Sequence, residues 1–363
     1  MIKLGFIGLG AIALRHVDAA LKCEQASIVA VCSKSSYVKG LPEKLSQLSP
    51  ELYTDYKKML NETALDAVVV SLPPSEHFDV VLYALNHKVN VLCEKPPAMT
   101  ASQALEMLEC AKKNEVHLMY AFMFRFSEKH FRAAEIVQSG ILGKINLIRL
   151  ETIRRFALAG SWYGNKAIAG GGCVIDIGSH CLDLARFIIG GDVRPVSVYA
   201  KTFPPCPIFE TVKSGSTGWV PRSSNSYDYD VEEAAFAIIN LSNGAVVELL
   251  LSNALHVKQN FKRIEFIGTE AGLEVDPELE LHTVDNGVLR DIHYGIAGFD
   301  YQGSLDSQMK CFIDLVNLSD SDTNNEIQRK GCLSSAFDGW VLMKLVDALY
   351  ESAESGCLVN ITW

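Results

Sequence analysis

The stretch Ile2-Lys3-Leu4-Gly5-Phe6-Ile7-Gly8-Leu9-Gly10-Ala11-Ile12-Ala13 decides the fold of this chain. Its mostly apolar start predicts a buried strand, and apolar residues at helical spacing follow the glycines. A glycine pattern alone is more often a plain turn. Between a strand and a helix, however, glycines let backbone N–H groups approach a pyrophosphate, whose charge the helix N-terminus favours. The predicted dinucleotide contacts in this turn are Gly8, Gly10, Ala11 and Ile12.

Apolar strands alternate with helical patterns through the rest of the first third of the chain. The predicted strands cover residues 28–32, 67–72, 89–93 and 116–121. This alternation predicts a doubly wound parallel sheet with helices on both faces. Ligands bind outside the carboxyl ends of such strands, where the loops after the second and third of these must lie. The predicted cofactor contacts in those loops are Ser71, Leu72, Pro73, His77, Glu94 and Lys95.

Lys95 is thereby predicted to lie near the reactive end of the cofactor. A lysine that follows a strand is ordinarily a surface residue, which is the alternative interpretation. Pro96 and Pro97 stiffen this loop and favour the functional one.

A second glycine-rich stretch is Ala169-Gly170-Gly171-Gly172-Cys173-Val174-Ile175-Asp176-Ile177-Gly178-Ser179-His180-Cys181-Leu182-Asp183. Apolar residues at three- and four-residue steps predict a helix after the glycines. Asp176, His180 and Asp183 fall on one adjacent stripe, so a carboxylate and an imidazole can address the same space. This pattern indicates proton transfer. The alternative is a half-buried helix whose histidine makes a structural hydrogen bond.

The composition indicates a soluble protein of two domains. A chain of 363 residues exceeds the roughly 250 to 300 that one core supports, so we predict a dinucleotide-binding domain at 1–122 and a substrate-binding and oligomerisation domain at 123–363. The net charge of −10, without a basic stripe, argues against nucleic acid as a partner. No apolar run approaches the ~20 residues that span a membrane. No metal site is predicted.

The cellular location is predicted from the N-terminus and the cysteines. The first residues carry one cation and run straight into a strand, which is not the pattern of a signal peptide. The ten cysteines contain no Cys-x-x-Cys pair, and several lie in apolar segments, which suits free thiols. We expect the protein to be cytoplasmic.

The second domain shows strand patterns with one exposed face. Residues 145–153 alternate apolar and polar side chains, as do residues 235–251 around the hairpin signal Asn243-Gly244. These patterns predict a mostly antiparallel sheet. The segment 204–230 is rich in Pro, Gly and Ser and predicts a long surface excursion.

Three motifs occur in the order that one family shows: Gly8-x-Gly10-x-x-Ala13-x-x-His16, then Glu94-Lys95-Pro96, then the run from Gly170 to Asp183. On these residues the chain resembles the Gfo/Idh/MocA family of nicotinamide-dependent oxidoreductases over essentially its whole length. The resemblance implies an α/β fold with an N-terminal Rossmann doubly wound parallel sheet. It also implies a C-terminal α/β domain whose large open, mostly antiparallel sheet mediates self-association, so we expect a homodimer or homotetramer.

The resemblance implies hydride transfer between a nicotinamide cofactor and one secondary hydroxyl or ketone of a sugar, inositol or related polyol. Lys95, Asp176 and His180 match the catalytic positions. A neutral imidazole at His180 can accept the hydroxyl proton near physiological pH. The Lys95 cation would stabilise developing alkoxide charge, and Asp176 would orient the substrate. Whether the lysine or the histidine dominates proton transfer stays open.

In addition to the catalytic residues, Arg125, Trp162 and Tyr163 are predicted to contact the substrate. Met123 stands where many members carry Asn, although Arg125 fits. Trp162 and Tyr163 would stack on a sugar face or the nicotinamide, or would be core aromatics. Arg154 and Arg155 would meet an anionic substrate, but exposed arginines are more often solvated.

Two other functions are compatible with the same fold. One is a glycosidase that keeps its nucleotide bound and oxidises the substrate transiently. The other is a protein that senses a nucleotide or ligand without turnover, against which the intact Lys95, Asp176 and His180 argue.

The residues after the second strand predict the choice between the two nicotinamide cofactors. NAD-specific folds place a carboxylate there for the ribose hydroxyls, whereas this chain has Ser33-Lys34-Ser35-Ser36. A hydroxyl donor and a cation would bind the 2′-phosphate of NADP. We therefore predict that Ser33 and Lys34 favour NADP, with NAD possible. The alternative is a solvated turn that discriminates little.

Overall fold

A computed structural model describes residues 1–34, 41–157, 161–205, 229–296, 298–317 and 333–363. The chain divides into two compact units, Met1–Ser127 with Asp300–Trp340 and Glu128–Phe299 with Val341–Trp363. The first unit is therefore completed by a segment from late in the chain. The predicted division of roles between residues 1–122 and 123–363 stays a prediction. Most of the predicted surface excursion, residues 206–228, lies outside the described residues.

The first unit is built on a parallel sheet, as predicted, and the sheet has six strands, of which the short strand Glu51–Tyr53 was not predicted. Its strands are β1 (Ile2–Ile7), β2 (Ala26–Cys32), β3 (Glu51–Tyr53), β4 (Ala67–Val70), β5 (Asn90–Cys93) and β6 (Leu118–Tyr120). Their order is β3-β2-β1-β4-β5-β6, so the direction of winding reverses between β1 and β4. Ligands of such sheets bind at this reversal, beyond the carboxyl ends of the strands. The turn after β1 and the loop after β4 both lie there.

The helices of the first 127 residues are α1 (Ala11–Ala20), α2 (Glu43–Ser46), α3 (Tyr56–Glu62), α4 (Pro74–Asn86) and α5 (Ala101–Asn114), followed by a 3₁₀ turn (Met123–Phe126). Each of the longer ones begins where the sequence supplies a signal. Thr100 caps α5 by accepting a hydrogen bond from the N–H of Gln103, and Pro74 occupies the first turn of α4. The strand between them is buried on both faces, which explains its continuous apolar run.

The second unit carries a nine-stranded mixed sheet with helices on one face. Its elements are α6 (Glu128–Gln138), β7 (Ile145–Ile153), a 3₁₀ turn (Ser161–Gly164), α7 (Lys166–Ala169), a π turn (Val174–Gly178), α8 (Ser179–Ile189), β8 (Pro195–Phe203), β9 (Ala234–Leu241), β10 (Val246–Ser252), β11 (Phe261–Gly268), β12 (Ala271–Asp276), β13 (Glu280–Asp285) and β14 (Val288–His293). The chain ends with α9 (Tyr301–Asn317), α10 (Ala336–Ser355) and β15 (Val359–Asn360).

The strand order of this sheet is β14-β13-β12-β11-β7-β10-β9-β8-β15, and every pair except β7 with β10 is antiparallel. The predicted mostly antiparallel sheet is therefore confirmed. The hairpin at Asn243-Gly244 forms as predicted, because Gly244 takes a positive φ of 87° that the turn requires. Along β10, Leu249 and Leu251 are buried and alternate with half-exposed side chains, so one face of the sheet is covered and the other is open.

Helix α9 was not identified from the sequence, yet it contributes to the core of the first unit. Met309, Phe312 and Ile313 are buried in the cluster formed around Phe6 of β1 and Val69 of β4. This contact joins residues about 300 positions apart, beyond the reach of local pattern. Among the described residues, no helix has both the length and the apolar character to cross a membrane.

Candidate active site

The turn after β1 leaves its backbone bare, as a dinucleotide site requires. Gly8 has a φ of 96°, and a Cβ on it would lie 2.2 Å from the carbonyl oxygen of Ser71. Its N–H donates to the carbonyl of Cys32 at 2.8 Å, which fixes the turn against β2. A Cβ on Gly10, the N-cap of α1, meets no heavy atom of the described residues within 4 Å. Gly8 is thus required by the fold, whereas Gly10 keeps space open at the start of the helix.

The chemistry around this turn fits a dinucleotide. No acidic residue stands in the first turn of α1, so the N–H groups there face no competing carboxylate. The Oγ of Ser71, buried next to the glycine turn, has no hydrogen-bond partner among the described residues. Ser33 is half-buried and donates its N–H to the carbonyl of Tyr53 at 3.0 Å, while Lys34 is exposed. The predicted contacts of these residues with the cofactor stay predictions.

The loop after β5 presents Lys95 between two buried neighbours. Pro96 is buried, and the Lys95–Pro96 peptide bond is cis. Glu94 is 8% exposed, and its Oε1 lies 2.7 Å from Nε2 of His16, a fully buried residue of α1. Its Oε2 accepts a hydrogen bond from the backbone N–H of Lys95 at 3.1 Å. Both oxygens of Glu94 therefore bind protein groups, although the residue was predicted to contact the cofactor.

The surroundings keep Glu94 ionised. Burial raises the pKa of its carboxyl, but the hydrogen bond with His16 and the nearby Lys95 charge outweigh that effect, and the pKa is lowered. A buried carboxylate beside the predicted catalytic lysine favours the cationic form of that lysine. The site thus supplies Lys95 with a negative neighbour.

His77 joins two loops of the first unit. Its ring is fully buried at the start of α4, with Nδ1 2.9 Å from the carbonyl oxygen of Pro96 and Nε2 2.9 Å from that of Leu72. Burial lowers the pKa of His77, and the two carbonyl acceptors oppose that shift without reversing it. The ring holds the loop after β4 to the loop that carries Lys95. The predicted cofactor contacts of His77, Leu72 and Pro73 stay predictions.

Arg125 lies in the 3₁₀ turn and is only 3% exposed. Its guanidinium donates to the carbonyl of Leu333 at 3.0 Å and pairs with Asp338 at 3.3 Å, both within the first unit. These bonds attach the late segment of the chain to the 3₁₀ turn that follows β6. Its predicted contact with substrate stays a prediction, and the structure adds an architectural role for it.

Three successive glycines in the second unit are required, the first by its positive φ and the other two by close packing. Gly170 has a φ of 86° and ends α7. A Cβ on Gly171 would lie 1.9 Å from the hydroxyl of Tyr350, and one on Gly172 would lie 1.9 Å from the carbonyl oxygen of Glu232. The carboxylate of Glu232 accepts from the N–H groups of Gly172 and Val174 at 2.9 and 3.0 Å and from the Tyr350 hydroxyl. Glu232 thereby caps the segment that bears Asp176.

The helix predicted after these glycines begins with a π turn, Val174–Gly178, before α8 continues as a regular helix. The simple helical stripe predicted for Asp176, His180 and Asp183 is corrected accordingly. A wider turn leaves some backbone carbonyl groups without a regular helical hydrogen bond. One of them, the carbonyl of Ile175, accepts a hydrogen bond from the hydroxyl of Ser179 at 2.7 Å. Gly178 ends the π turn in a tightly packed position, since a Cβ there would lie 2.9 Å from a methyl carbon of Leu251.

Asp176 and His180 are both partly exposed, whereas Asp183 is buried. Asp176 has an arginine beside it: a guanidinium nitrogen of Arg154 lies 3.8 Å from its Oδ2. Arg154 also donates to the side chain of Asn253 at 3.4 Å. A solvated Arg154 was the favoured prediction. A sequence signal for its position is that Arg154 directly follows β7, so its side chain stands where a strand ends.

Trp162 and Tyr163 stack on each other, with ring centroids 3.9 Å apart and an angle of 16° between the planes. Both rings are half-buried rather than enclosed in the core. Their predicted stacking on a substrate or nicotinamide stays a prediction.

Comparisons with known proteins give a consistent result. Residues 2–122 match the model of an oxidoreductase family with an NAD-binding Rossmann fold, and residues 130–274 match the GFO/IDH/MocA C-terminal domain. The chain is 33% identical to D-glucoside 3-dehydrogenase of Escherichia coli, over 99% of this chain and 97% of that protein. It is 25% identical to D-xylose 1-dehydrogenase (NADP(+)) 2 of Haloferax volcanii, over 99% and 100%.

A solved structure of levoglucosan dehydrogenase, in complex with NADH and levoglucosan, superimposes with a TM-score of 0.78. The match covers 100% of both chains at 20% sequence identity, so it speaks to the fold.

Proposed function

This chain belongs to the Gfo/Idh/MocA family of oxidoreductases, and we propose that it oxidises the C3 hydroxyl of a D-glucoside. The predicted enzyme class, a nicotinamide-dependent oxidoreductase that acts on a CH–OH group, is confirmed by this membership. The relatives include dehydrogenases of glucosides, levoglucosan and myo-inositol. The choice of a glucoside rests on the 33% identity to D-glucoside 3-dehydrogenase over nearly the full length of both chains.

Lys95, Asp176 and His180 are the proposed catalytic residues. Oxidation of a secondary alcohol needs a hydride acceptor, which the bound nicotinamide supplies, and an acceptor for the hydroxyl proton. His180 takes that proton as a neutral imidazole, and the Lys95 ammonium stabilises the developing alkoxide. Glu94 supports this role of Lys95, because its carboxylate favours the ammonium form.

Asp176 orients the sugar by accepting hydrogen bonds from its hydroxyl groups. Arg154 supports this role, because a cation 3.8 Å from the carboxylate favours its ionised, accepting form. Trp162 and Tyr163 offer a pair of stacked, half-exposed rings, the kind of surface on which a sugar face packs.

NADP is the proposed cofactor, with NAD as the weaker alternative. A 2′-phosphate would bind the Ser33 hydroxyl and the exposed Lys34 ammonium, and one relative is named for NADP(+). Lysine binds phosphate as a flexible point charge, so the preference falls with salt. We expect Ser33→Asp combined with Lys34→Ala to reverse the order of kcat/KM for the two cofactors. A wild type that prefers NAD by about tenfold, or 1.4 kcal/mol, would refute this choice.

Self-association through the open sheet face is also proposed. Ile238, Val284 and Leu289 are 41%, 57% and 85% exposed on that face, beside the ion pairs of Arg149 with Glu248 and Glu265. Apolar side chains around a polar network are typical of a surface that a second copy covers. Light scattering at micromolar concentration should show a dimer or tetramer.

A cytoplasmic location is proposed because the eight described cysteines are free thiols.

A substrate panel tests the function. Purified protein is mixed with alkyl glucosides, free sugars and inositols and with either cofactor, and the absorbance of reduced nicotinamide is recorded. Reduction with glucosides, and a product oxidised at C3, are expected. Hydrolysed glucoside without released reduced cofactor would indicate the nucleotide-retaining glycosidase instead. Tight nucleotide binding without turnover on any substrate would indicate a sensor.

A further inference from the structure

We propose that His16 and Glu94 form a positioning pair that fixes the location and the charge of Lys95. The inference rests on the proposed catalytic role of Lys95 and goes beyond it, because it gives His16 a role and assigns Glu94 a role other than its predicted contact with the cofactor. The pair joins α1 to the loop after β5, across 78 residues of sequence.

The geometry confines three consecutive residues from two sides. Glu94 bonds His16 through one oxygen and the Lys95 N–H through the other, at 2.7 and 3.1 Å. On the other side of Lys95, the carbonyl of Pro96 is 2.9 Å from the ring of His77. The backbone N–H of Glu94 continues the sheet by donating to Val70 at 2.9 Å. The N–H of Lys95 and the carbonyl of the following residue, Pro96, are therefore both held by buried side chains, while the Lys95 side chain is half-buried.

The hydrogen bond between His16 and Glu94 determines which ring nitrogen of His16 carries the donated proton. His16 is fully buried, and its Nδ1 has no hydrogen-bond partner among the described residues. The Glu94 carboxylate can only accept a hydrogen bond, so Nε2 of His16 carries a proton and donates it to Glu94. Glu94 then stays a carboxylate next to Lys95, which is the state that favours an ammonium group.

The consequence for catalysis is specific to Lys95. Removing the negative charge of Glu94 makes the ammonium less favourable, and removing the ring of His16 frees the Glu94 side chain to turn. Either change misplaces or discharges the group that stabilises the alkoxide, and small misplacements of such groups are costly. Nucleotide binding at the glycine turn after β1 should be affected much less.

The test is a double-mutant cycle on kcat with Glu94→Gln, His16→Leu and Lys95→Ala. Glu94→Gln keeps the size of the side chain and removes its charge. Each of the first two variants should lower kcat about 10- to 100-fold in the wild-type background and less than about twofold in the Lys95→Ala background. Equal factors in both backgrounds would overturn the proposal, because the pair would then act independently of Lys95.

Glu51→Gln is the matched control. Like Glu94, Glu51 accepts two hydrogen bonds, here from the hydroxyls of Tyr53 at 2.6 Å and Thr63 at 2.7 Å, and it lies in the same unit far along the chain from Lys95. Melting temperature and nucleotide Kd are measured for every variant. Glu51→Gln should leave kcat unchanged. A loss of kcat in Glu94→Gln no greater than in this control would refute positioning.

A readout that does not need turnover separates this inference from the proposed function. Lys95 is labelled with acetic anhydride across a pH series and quantified by mass spectrometry, with exposed Lys112 as internal reference. In Glu94→Gln the midpoint for Lys95 should move to lower pH by about half a unit or more. An unchanged midpoint would overturn the inference. If that midpoint moves but Lys95→Ala turns over at the wild-type rate, the catalytic role of Lys95 fails while the positioning stands.

Discussion

Glu94 in the first unit and Asp276 in the second are both buried carboxylates, at 8% and 5% exposure, but they are held differently. Asp276 ends β12 and pairs with Lys129 of α6 and, at 2.8 Å, with Lys262 of β11. Its partners come from separate elements, so the carboxylate joins a helix to the sheet. Glu94 bonds one side chain and the backbone of its own neighbour, Lys95. Similar chemistry thus supports architecture in one unit and a reactive group in the other.

The pKa of each carboxyl is lowered, for related reasons. Burial raises the pKa of Asp276, but the approach of His130 Nε2 to 3.5 Å and the charges of Lys262 and Lys129 outweigh that effect, and the pKa is lowered. Since each folded-state pKa lies below that of the unfolded chain, each carboxylate stabilises the fold at neutral pH. This stabilisation is lost as the pH falls through the folded pKa. The two groups therefore share a pH dependence of stability and differ in what else they control.

The largest expected effect is on turnover and comes from changing Lys95, the neighbour of Glu94. Lys95→Ala should lower kcat about 100- to 10,000-fold, because it removes charge needed mainly in the transition state, and should leave nucleotide Kd nearly intact. Steady-state kinetics and nucleotide titration measure both quantities. Turnover equal to that of the wild type would remove Lys95 from the mechanism.

Asp276→Asn should lower the stability of the fold and leave the catalytic rate nearly unchanged. It leaves Lys129, which is 4% exposed, buried without its counter-charge, and we expect a loss of about 3 to 5 kcal/mol in the free energy of unfolding. Urea unfolding measures that loss. Folded protein at low temperature should keep a kcat close to that of the wild type. A large drop in kcat at unchanged stability would erase the distinction between the two carboxylates.

Changing Glu274 should have the smallest effect on stability, and its pKa is shifted in the opposite direction to those of Glu94 and Asp276. Glu274 lies across the strands from Glu265 and Glu280 on the open face, and its pKa is raised by burial and by these two carboxylates. A raised pKa means that the stability it contributes is present at low pH and lost as the pH rises through the folded pKa.

Glu274→Gln should therefore raise the free energy of unfolding by about 0.5 kcal/mol at neutral pH, because it removes a like charge between two neighbours. Thermal unfolding at neutral pH and near pH 4 measures the gain, which should shrink at the lower pH. Destabilisation at neutral pH would contradict the assigned cause.

The sequence predicted what local chemistry determines. The strand, glycine turn and helix start within residues 2–20, with the apolar strands that alternate with helices after them, predicted the Rossmann domain, and the hairpin at Gly244 followed from two residues. Contacts between distant segments were not predicted. Helix α9 joins the core around Phe6, Gly178 at the end of the π turn packs against Leu251, and Arg154 approaches Asp176 from another element. Each depends on packing that no local pattern encodes.

The pair of His16 and Glu94 was predicted only in part from the sequence. Both residues stand in motifs that the sequence analysis singled out, yet their contact required the structure, because parallel strands bring α1 and the loop after β5 together. The site was thus predicted as a set of residues, and its buried support was not.

Isotope transfer tests the central claim, hydride transfer from the substrate carbon to the nicotinamide, most directly. The proposed glucoside, deuterated at C3, is incubated with the protein and NADP, and the released cofactor is examined by mass spectrometry. We expect deuterium on the nicotinamide of reduced cofactor in solution and a ketone at the labelled carbon. A glucoside that is consumed without any deuterium reaching released cofactor would contradict this account.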